Sequence, residues 1–293
     1  MAELLDRYSL EMTTSDIGAV ATAGELIDAG TEVSITYLPK DTPDARIATA
    51  IAVRRAGWVP VPHVSARRLL SREDLNAFLQ LLSRQASVDR VFVVGGDPTT
   101  PEGPYEDALA IIRDDALLQH GIRKVGIAGY PEGHPRIAQE QLWTALRDKQ
   151  AALAARGQSC EIVTQFSFNA EAVLRWLAQL RQEGITAPLK IGIPGPATAQ
   201  SLLRYAARCG VGVSSKIMAR YGLSLAKLLS PVGPELLIEE LEGNLNPAVH
   251  GEVTLHLYPF GGLERTARWM CQFRSARRCA MPVTSPRTGT AGG

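Results

Sequence analysis

Eight short apolar runs rich in β-branched residues are spaced along this chain, and stretches of helical periodicity lie between them. The runs are residues 8–12 (YSLEM), 32–38 (EVSITYL), 58–65 (WVPVPHVS), 90–96 (RVFVVGG), 124–130 (KVGIAGY), 161–168 (EIVTQFSF), 189–195 (LKIGIPG) and 253–260 (VTLHLYPF). Alternating strand and helix signals indicate repeated βα units and a parallel sheet. Because eight such units close a barrel, the sequence predicts an α/β fold, the (β/α)8 TIM barrel.

Capping residues mark several helices between these strands. Ser71 and Asn169 each stand directly before an apolar periodic stretch, where their side chains can accept a hydrogen bond from the first turn of a helix. A further helix is predicted over residues 17–30, behind a Ser-Asp pair. Pro135 is predicted to stand near the first position of another helix, since proline suits that position.

A single domain followed by a short tail accounts for the 293 residues. The barrel is predicted to span residues 1–273 as one catalytic domain. Within it, residues 210–251 are longer than one βα connection needs, which predicts extra helices before the last strand. Residues 274–293 are basic, small and turn-rich, and are predicted to form a disordered C-terminal tail.

The charge balance points to a small-molecule ligand. The chain has 31 basic and 30 acidic residues and a net charge of +1, so no global field would gather nucleic acid or anionic lipid. No apolar run approaches the ~20 residues of a membrane helix, and the N-terminus lacks a signal-peptide pattern. We therefore expect a cytoplasmic protein with no nucleic-acid or membrane partner. A homo-oligomer is compatible with the sequence, which leaves the oligomeric state open.

Polar and titratable side chains collect where the predicted strands end. In a TIM barrel the carboxyl ends of the strands and the loops after them build the active site. The residues at or near these ends are Glu11, Thr36, His63, Asp97, Tyr130, Glu132, His134, Gln165 and Tyr258. We predict that the site is assembled from this set.

Two carboxylates in this set carry the strongest functional signal. Glu11 lies inside an apolar strand, where a buried carboxylate is costly without a function or a partner; an exposed charge at a strand end is the alternative. Asp97 follows a glycine pair that includes Gly96 and lets the backbone approach a ligand closely. Its alternative is a turn former in the sequence GGDP.

Other polar residues also have structural alternatives. His63 could be a hydrogen-bonded core histidine, and His134 could cap the helix that follows it. Gln165 lies late in an apolar strand, where recognition of a heterocycle or a bond to a neighbouring strand would satisfy its amide.

Common cofactor motifs are missing, which narrows the classes of site. There is no GxGxxG opening a helix after the first strand, no GxxxxGK[ST], no GxSxG and no HExxH. A nucleotide is therefore not held by a Rossmann or Walker loop. A metal-dependent hydrolase is one rival interpretation, with His63, Asp97, His134 and His256 as ligands at the strand ends.

The ordered strand-end motifs resemble the methylenetetrahydrofolate reductase family. The resemblance runs from Ser9 to about Phe273, and AGYPEGHP is its most specific part. The other matching motifs are YSLEM, VSITY, VPHVS, GGDP, TQFSF, IGIPGP and LHLYPF. The resemblance implies a TIM-barrel oxidoreductase that reduces 5,10-methylenetetrahydrofolate to 5-methyltetrahydrofolate with NADH or NADPH, normally through FAD.

The resemblance also assigns roles to individual residues. It implies that Glu11 is the general acid, with a raised pKa, and that Asp97 stabilises a cationic iminium. It gives the folate contacts as Asp97, Gln165, Phe166 and Phe168. The flavin contacts that it implies are Thr36, His63, Gly96, Asp97, Tyr130, Glu132 and His134, and it implies no metal.

Departures from the family pattern fall on the flavin side. The loop after the second strand reads Leu38-Pro39-Lys40-Asp41 where the family is usually glycine- and serine-rich, and Gly95 stands where an arginine commonly precedes the Gly-Asp pair. Two alternatives follow. Hydride could pass directly from the nicotinamide to the folate without flavin, or the barrel could bind folate without catalysis.

Overall fold

Eight parallel strands form a closed barrel in the computed structural model, which describes residues 4–213 and 231–280. Each strand pairs with its neighbours in sequence, and β1 also pairs with β8, which closes the ring. The strands are β1 Tyr8–Met12, β2 Glu32–Ile35, β3 Val59–Ser65, β4 Arg90–Val94, β5 Lys124–Gly129, β6 Ser159–Thr164, β7 Leu189–Pro194 and β8 Val253–Tyr258. The predicted TIM barrel is confirmed.

Strand residues divide between two apolar regions, as the two-residue period of a strand requires. Leu10, Ile127 and Leu255 belong to the main hydrophobic core, which the strands share with the surrounding helices. Val61 and Phe92 belong to a second, small cluster with one residue of β6. Val61 and Phe92 therefore lie on the opposite strand faces from the residues of β3 and β4 that join the main core.

Helices alternate with the strands around the barrel. Their bounds are Pro43–Arg55, Arg72–Ala86, Ala108–Arg113, Gln139–Ala155, Ala170–Gln182, Ala199–Cys209, Glu235–Asn244 and Leu263–Ala280, with four-residue helices at Val20–Ala23, Ala116–Gln119 and Pro247–His250. Ser71 and Asn169 cap their helices as predicted, each accepting a hydrogen bond of 3.1 Å from a backbone N–H. Two of the helices precede β8, which confirms the extra helices expected there. Across the part of the chain that the structure describes, no helix is long and apolar enough to cross a bilayer.

The helix predicted over residues 17–30 is wrong. The Asp16 carboxylate accepts hydrogen bonds from the backbone N–H and the hydroxyl of Thr13, both at 2.8 Å. These bonds start a 3-10 helix at Thr14–Ala19, and only the single turn Val20–Ala23 is α-helical. Gly24, a poor helix former, follows that turn.

The helix predicted to begin near Pro135 begins later, at Gln139. His134 and Ile137 form an isolated antiparallel bridge, which holds the residues between them in a turn. Gln141 then accepts a hydrogen bond from the backbone N–H of Ala138 at 3.2 Å and starts the helix. The proline therefore stiffens the loop after β5 and lies outside the helix.

The last helix continues through Ala280, so residues 274–280 of the predicted tail are helical. Within this segment Arg274 forms an ion pair with Asp28, and Arg277 forms one with Glu242. Residues 281–293 lie outside the described residues.

A layer of charged side chains occupies the end of the barrel at which the strands begin. Glu32 of β2 contacts Arg90 of β4, Lys124 of β5 at 3.2 Å, and Lys190 of β7. Glu161 of β6 contacts Lys124 at 2.6 Å and Lys190 at 2.9 Å. Burial acts to raise the pKa of Glu32, but its cationic neighbours outweigh burial and lower that pKa to about 2. This layer joins five strands by opposite charges.

Candidate active site

A carboxylate between two histidines lies towards the carboxyl end of the barrel interior. Oε2 of Glu11, on β1, is 3.7 Å from Nε2 of His63 on β3 and 3.9 Å from Nε2 of His256 on β8. Both histidines are buried, and the Glu11 side chain keeps 18% exposure. The cluster depends on closure of the barrel, since β8 lies beside β1 only in the closed ring.

The charge state of Glu11 differs from the one expected. Burial acts to raise its pKa, but the neighbouring side chains, chiefly His256 with further effects from His63 and the Thr36 hydroxyl, outweigh burial. The net pKa is below the usual value, in contrast to the raised pKa that we expected. The Thr36 hydroxyl is buried beside Glu11, and among the described residues it has no hydrogen-bond partner at ordinary length.

Each histidine is hydrogen-bonded to a neighbouring side chain, through the ring in His256 and through the backbone in His63. The Ser9 hydroxyl lies 2.8 Å from Nδ1 of His256, which turns Nε2 of that ring towards Glu11. The guanidinium of Arg46 donates a hydrogen bond to the backbone carbonyl of His63. Burial lowers the pKa of His63 to about 4, with Arg46 and His256 adding to the effect and Glu11 opposing it. His63 is therefore neutral near pH 7.

Asp97 lies apart from Glu11, on the loop after β4. Arg68 donates two hydrogen bonds of 2.8 Å to its carboxylate, one to each oxygen. The Asp97 side chain is 63% exposed, whereas that of Arg68 is 14% exposed. One side of the Asp97 carboxylate is therefore hydrogen-bonded to Arg68, and the other side is open to solvent.

Gly96 serves the packing of the same loop. Its φ of 96° suits glycine, and a Cβ there would collide with the hydroxyl of Ser65 on β3. Arg67 binds the loop as well, donating its backbone N–H to Gly95 at 2.9 Å and its guanidinium to the Pro98 carbonyl at 3.2 Å. The loop after β4 and the turn after β3 therefore form one unit that carries Asp97.

The loop after β5 carries three further residues that were predicted for the site. The rings of Tyr130 and His134 meet edge to face at 5.2 Å. Nδ1 of His134 accepts a hydrogen bond from the backbone N–H of Arg136 at 3.2 Å, so it does not cap the following helix. Glu132 accepts a bond of 2.6 Å from the hydroxyl of Ser167, and burial raises the pKa of this glutamate.

The segment after β6 places Gln165 at the mouth and two phenylalanines beneath it. Oε1 of Gln165 accepts a hydrogen bond from the backbone N–H of Phe166 at 3.1 Å. Gln165 lines a small cavity with Tyr130 and Cys209. Phe166 and Phe168 are 1% and 4% exposed and lie in the main core. These two rings therefore support the site from below.

The residues expected to hold a flavin differ in how far they are engaged with the rest of the protein. Thr36 and His63 lie inside the barrel beside Glu11. In the loop after β2, the Asp41 carboxylate accepts hydrogen bonds from the backbone N–H of Leu38 at 2.8 Å and from the Thr14 hydroxyl at 2.6 Å. The loop is therefore closed around an anionic carboxylate. A cofactor phosphate is also an anion and would need hydrogen-bond donors at this place. Two donors near the expected phosphate position are therefore occupied by Asp41, and we derive no step through FAD.

The four residues considered as metal ligands do not converge. His63 and His256 flank Glu11, whereas Asp97 is bound by Arg68 and His134 lies on the loop after β5. Within residues 4–213 and 231–280, no group of three or more His, Cys, Asp or Glu side chains could hold a metal ion.

Fold and site together define a TIM-barrel protein with a buried acid–histidine cluster and a polar rim at the carboxyl ends of its strands. The sequence model of the methylenetetrahydrofolate reductase family matches residues 29–266, and the chain belongs to that family. A curated relative is methylenetetrahydrofolate reductase 2 of Saccharomyces cerevisiae, 24% identical over 57% of this chain and 29% of the yeast protein. Methylenetetrahydrofolate reductase (NADH) 1 of Zea mays is 29% identical over 45% of this chain and 24% of the maize protein. The matches thus span less than a third of these relatives.

Two solved structures share the barrel. An uncharacterised protein from Clostridium thermocellum that binds two copies of 5-methyl-5,6,7,8-tetrahydrofolic acid superposes with a TM-score of 0.60, over 95% of this chain and 98% of that one, at 12% identity. A 2,3-dimethylmalate lyase superposes with a TM-score of 0.51, over 97% and 86%, at 11% identity. At these identities the two structures support the fold alone.

Proposed function

We propose that this protein reduces 5,10-methylenetetrahydrofolate to 5-methyltetrahydrofolate, with NADH or NADPH as the hydride donor. The observation that carries the proposal is the Glu11 carboxylate between His63 and His256, at the active-site end of a barrel of this family. The reaction needs an acid beside a site that binds a heterocycle, and Glu11 with Gln165 offers both.

Glu11 supplies the proton in this proposal. Protonation of N10 assists cleavage of the bond between N10 and the bridging carbon, which leaves that carbon as an iminium on N5. The iminium carbon then accepts the hydride and becomes the methyl group of 5-methyltetrahydrofolate. Glu11 is ionised near neutral pH, because its neighbours lower its pKa. A bound pterin would exclude water around the carboxylate and raise its affinity for a proton. The histidine rings on either side of the carboxylate, with Nε2 atoms 3.7 Å (His63) and 3.9 Å (His256) from Glu11, could pass that proton to it.

Asp97 and Gln165 would bind the pterin from the rim. The Asp97 carboxylate would stabilise the cationic iminium through its open face and accept hydrogen bonds from the pterin. Gln165 would bond the edge of the ring system through its amide nitrogen, since its Oε1 is already bonded to Phe166. Phe166 and Phe168 would hold the floor beneath the ring.

Direct transfer of hydride from the nicotinamide to the folate is the form of the reaction that the contacts favour. The Asp41 carboxylate accepts two hydrogen bonds in the loop after β2, and His63 lies 3.7 Å from Glu11. If flavin is used instead, purified protein will show flavin absorption bands and added FAD will raise turnover. Direct transfer predicts equal rates of NAD(P)H oxidation with and without FAD.

Formation of 5-methyltetrahydrofolate from methylenetetrahydrofolate and NADH or NADPH tests the proposal. Glu11→Gln should lose turnover while folate binding persists. Glu171→Gln is the matched control, because Glu171 is an exposed helix residue paired with Arg175 along its own helix. Retained turnover in Glu11→Gln would contradict the role of this residue. Folate binding without any turnover in the wild type would favour a non-catalytic barrel.

A further inference from the structure

Tyr258 makes a bond that reaches across a whole strand. Its hydroxyl donates a hydrogen bond of 2.9 Å to the backbone carbonyl of Thr164. Tyr258 ends β8 and Thr164 ends β6, and β7 lies between these two strands in the barrel. The aromatic ring must therefore lie over β7 to reach its acceptor.

Gly192 of β7 makes this crossing possible. A Cβ at this position would be 2.8 Å from Cε2 of Tyr258 and closer still to the carbonyl oxygen of Thr164. The φ of Gly192 is not in the left-handed region, so glycine is needed here for space alone. Any side chain at this position would displace the Tyr258 ring or the Thr164 carbonyl.

Backbone pairing between β6 and β7 stops just before this point. It joins Ile162 to Leu189 and Val163 to Lys190. Beyond that register, Oγ1 of Thr164 accepts the backbone N–H of Gly192 at 2.8 Å. The Gly192 carbonyl accepts from the backbone N–H of Ser167 at 3.2 Å. The Thr164 carbonyl is left to the Tyr258 hydroxyl, which satisfies this acceptor.

The bond acts on the peptide unit that leads into Gln165. The carbonyl of that unit accepts from Tyr258, and its N–H, which belongs to Gln165, donates to the Gly129 carbonyl of β5 at 2.8 Å. Both ends of one peptide plane are thus fixed, from opposite sides of β6. The direction in which the Gln165 side chain leaves the backbone depends on this plane.

We propose that Tyr258 is a positioning residue for folate binding, which sets the orientation of Gln165 through the Thr164 carbonyl, and that Gly192 provides the space it needs. The inference rests on the proposed function, in which Gln165 binds the pterin. The Tyr258 ring also meets the His256 ring edge to face at 4.9 Å, so one side chain supports both the pterin contact and the Glu11 cluster. Burial raises the pKa of Tyr258, which keeps its hydroxyl a donor.

Tyr258→Phe tests the inference, because it removes the hydroxyl and keeps the ring. Loss of one buried hydrogen bond should raise the KM for methylenetetrahydrofolate about tenfold, with kcat and the nicotinamide KM changed less than about twofold. Gly192→Ala should give the same pattern, since its Cβ displaces the same bond. The matched controls are Tyr205→Phe, in the same aromatic cluster, and Gly243→Ala, where a Cβ meets nothing within 4 Å.

A double-mutant cycle separates positioning from general destabilisation. If Tyr258 acts through Gln165, Tyr258→Phe should add little to the folate KM of a Gln165→Ala protein. Additive effects, or an unchanged folate KM in Tyr258→Phe, would overturn the inference.

Hydrogen exchange tests the contact independently of the reaction. In ligand-free Tyr258→Phe, the Gln165 amide should exchange at least about tenfold faster than in the wild type, and in Tyr205→Phe it should not. If the wild type neither binds nor reduces folate, the proposed function fails while this measurement still decides the contact. Unchanged exchange at Gln165 would refute the positioning role.

Discussion

Arg68 holds both oxygens of the Asp97 carboxylate, with two hydrogen bonds of 2.8 Å. The hydrogen bonding from Arg68 is the main cause that lowers the pKa of Asp97. Asp97 is therefore an anion whose position is fixed before any substrate arrives. Part of its charge is compensated by the arginine, and the remaining lone pairs face solvent. A fixed anion of this kind suits a cation that forms only during the reaction.

Asp97→Asn should slow folate reduction with little loss of stability. We expect kcat/KM for methylenetetrahydrofolate to fall by about 10- to 100-fold, because the variant removes the charge that would stabilise the iminium. Unfolding free energy should change by less than about 1 kcal/mol, since the pair is largely exposed on the Asp97 side. The matched control is Asp115→Asn, which removes an equally exposed carboxylate paired with Arg156. Equal losses of activity in both variants would argue against a role for Asp97.

The rate of folate reduction should rise as pH falls. The pKa of Glu11 is below its usual value in the free protein, so the protonated fraction near neutrality is small and grows about tenfold for each pH unit lost. We therefore expect kcat/KM for the folate to increase towards pH 6 from pH 8. Glu11→Asp should keep this slope at a lower rate. A flat profile over the same range would show that Glu11 is not the group that must gain a proton.

The free energy of unfolding should decrease as the pH is lowered from about 6.5 to about 4, because of His63. Burial lowers the pKa of this histidine to about 4 in the folded protein, whereas the unfolded value is about 6.5. In that window the unfolded chain binds more protons, so the free energy of unfolding rises with pH, by about 3 kcal/mol across the window. His63→Asn should flatten this part of the curve, measured by denaturant unfolding at several pH values. An unchanged slope in the variant would contradict the buried neutral histidine.

The barrel could be predicted from the sequence because each strand carries its own apolar pattern. All eight predicted runs overlap an observed strand, and YSLEM matches β1 at both ends. The helix starts were less certain, since Asp16 and Pro135 have roles in turns that spacing alone does not reveal. The sequence signals at these two positions fit either a helix start or a turn, and the local hydrogen bonds decide between them.

The site was only partly predictable for a different reason. Glu11 and His63 were identifiable as polar residues in apolar strands, and the structure brings them together. The alternation in YSLEM also places Ser9 on the same face as Glu11, a signal that could have predicted its role. Arg68 gave no such signal, because its contact with Asp97 depends on how the loops after β3 and β4 pack. Contacts between loops are set by tertiary structure, and no periodicity records them.

The charged layer at the opposite end of the barrel should contribute to stability and leave catalysis unaffected. Glu32 contacts cations on three strands, so Glu32→Gln leaves Lys190 and its neighbours with too little negative charge in a largely buried place. We expect a loss of about 3 kcal/mol in unfolding free energy, as for other broken buried pairs. Turnover should be unchanged at temperatures below unfolding. The layer lies at the end of the barrel where the strands begin, and in TIM barrels that end contributes to stability while the active site is at the other end.

Glu171→Gln is again the control, since its exposed pair with Arg175 along one helix should be worth about 0.5 kcal/mol or less. Comparable denaturation midpoints for the two variants would mean that the layer is solvated and contributes little. A fall in kcat for Glu32→Gln with unchanged stability would instead place the layer in the working part of the protein. The same change from glutamate to glutamine should therefore lower turnover at one end of the barrel, in Glu11→Gln, and lower stability at the other, in Glu32→Gln.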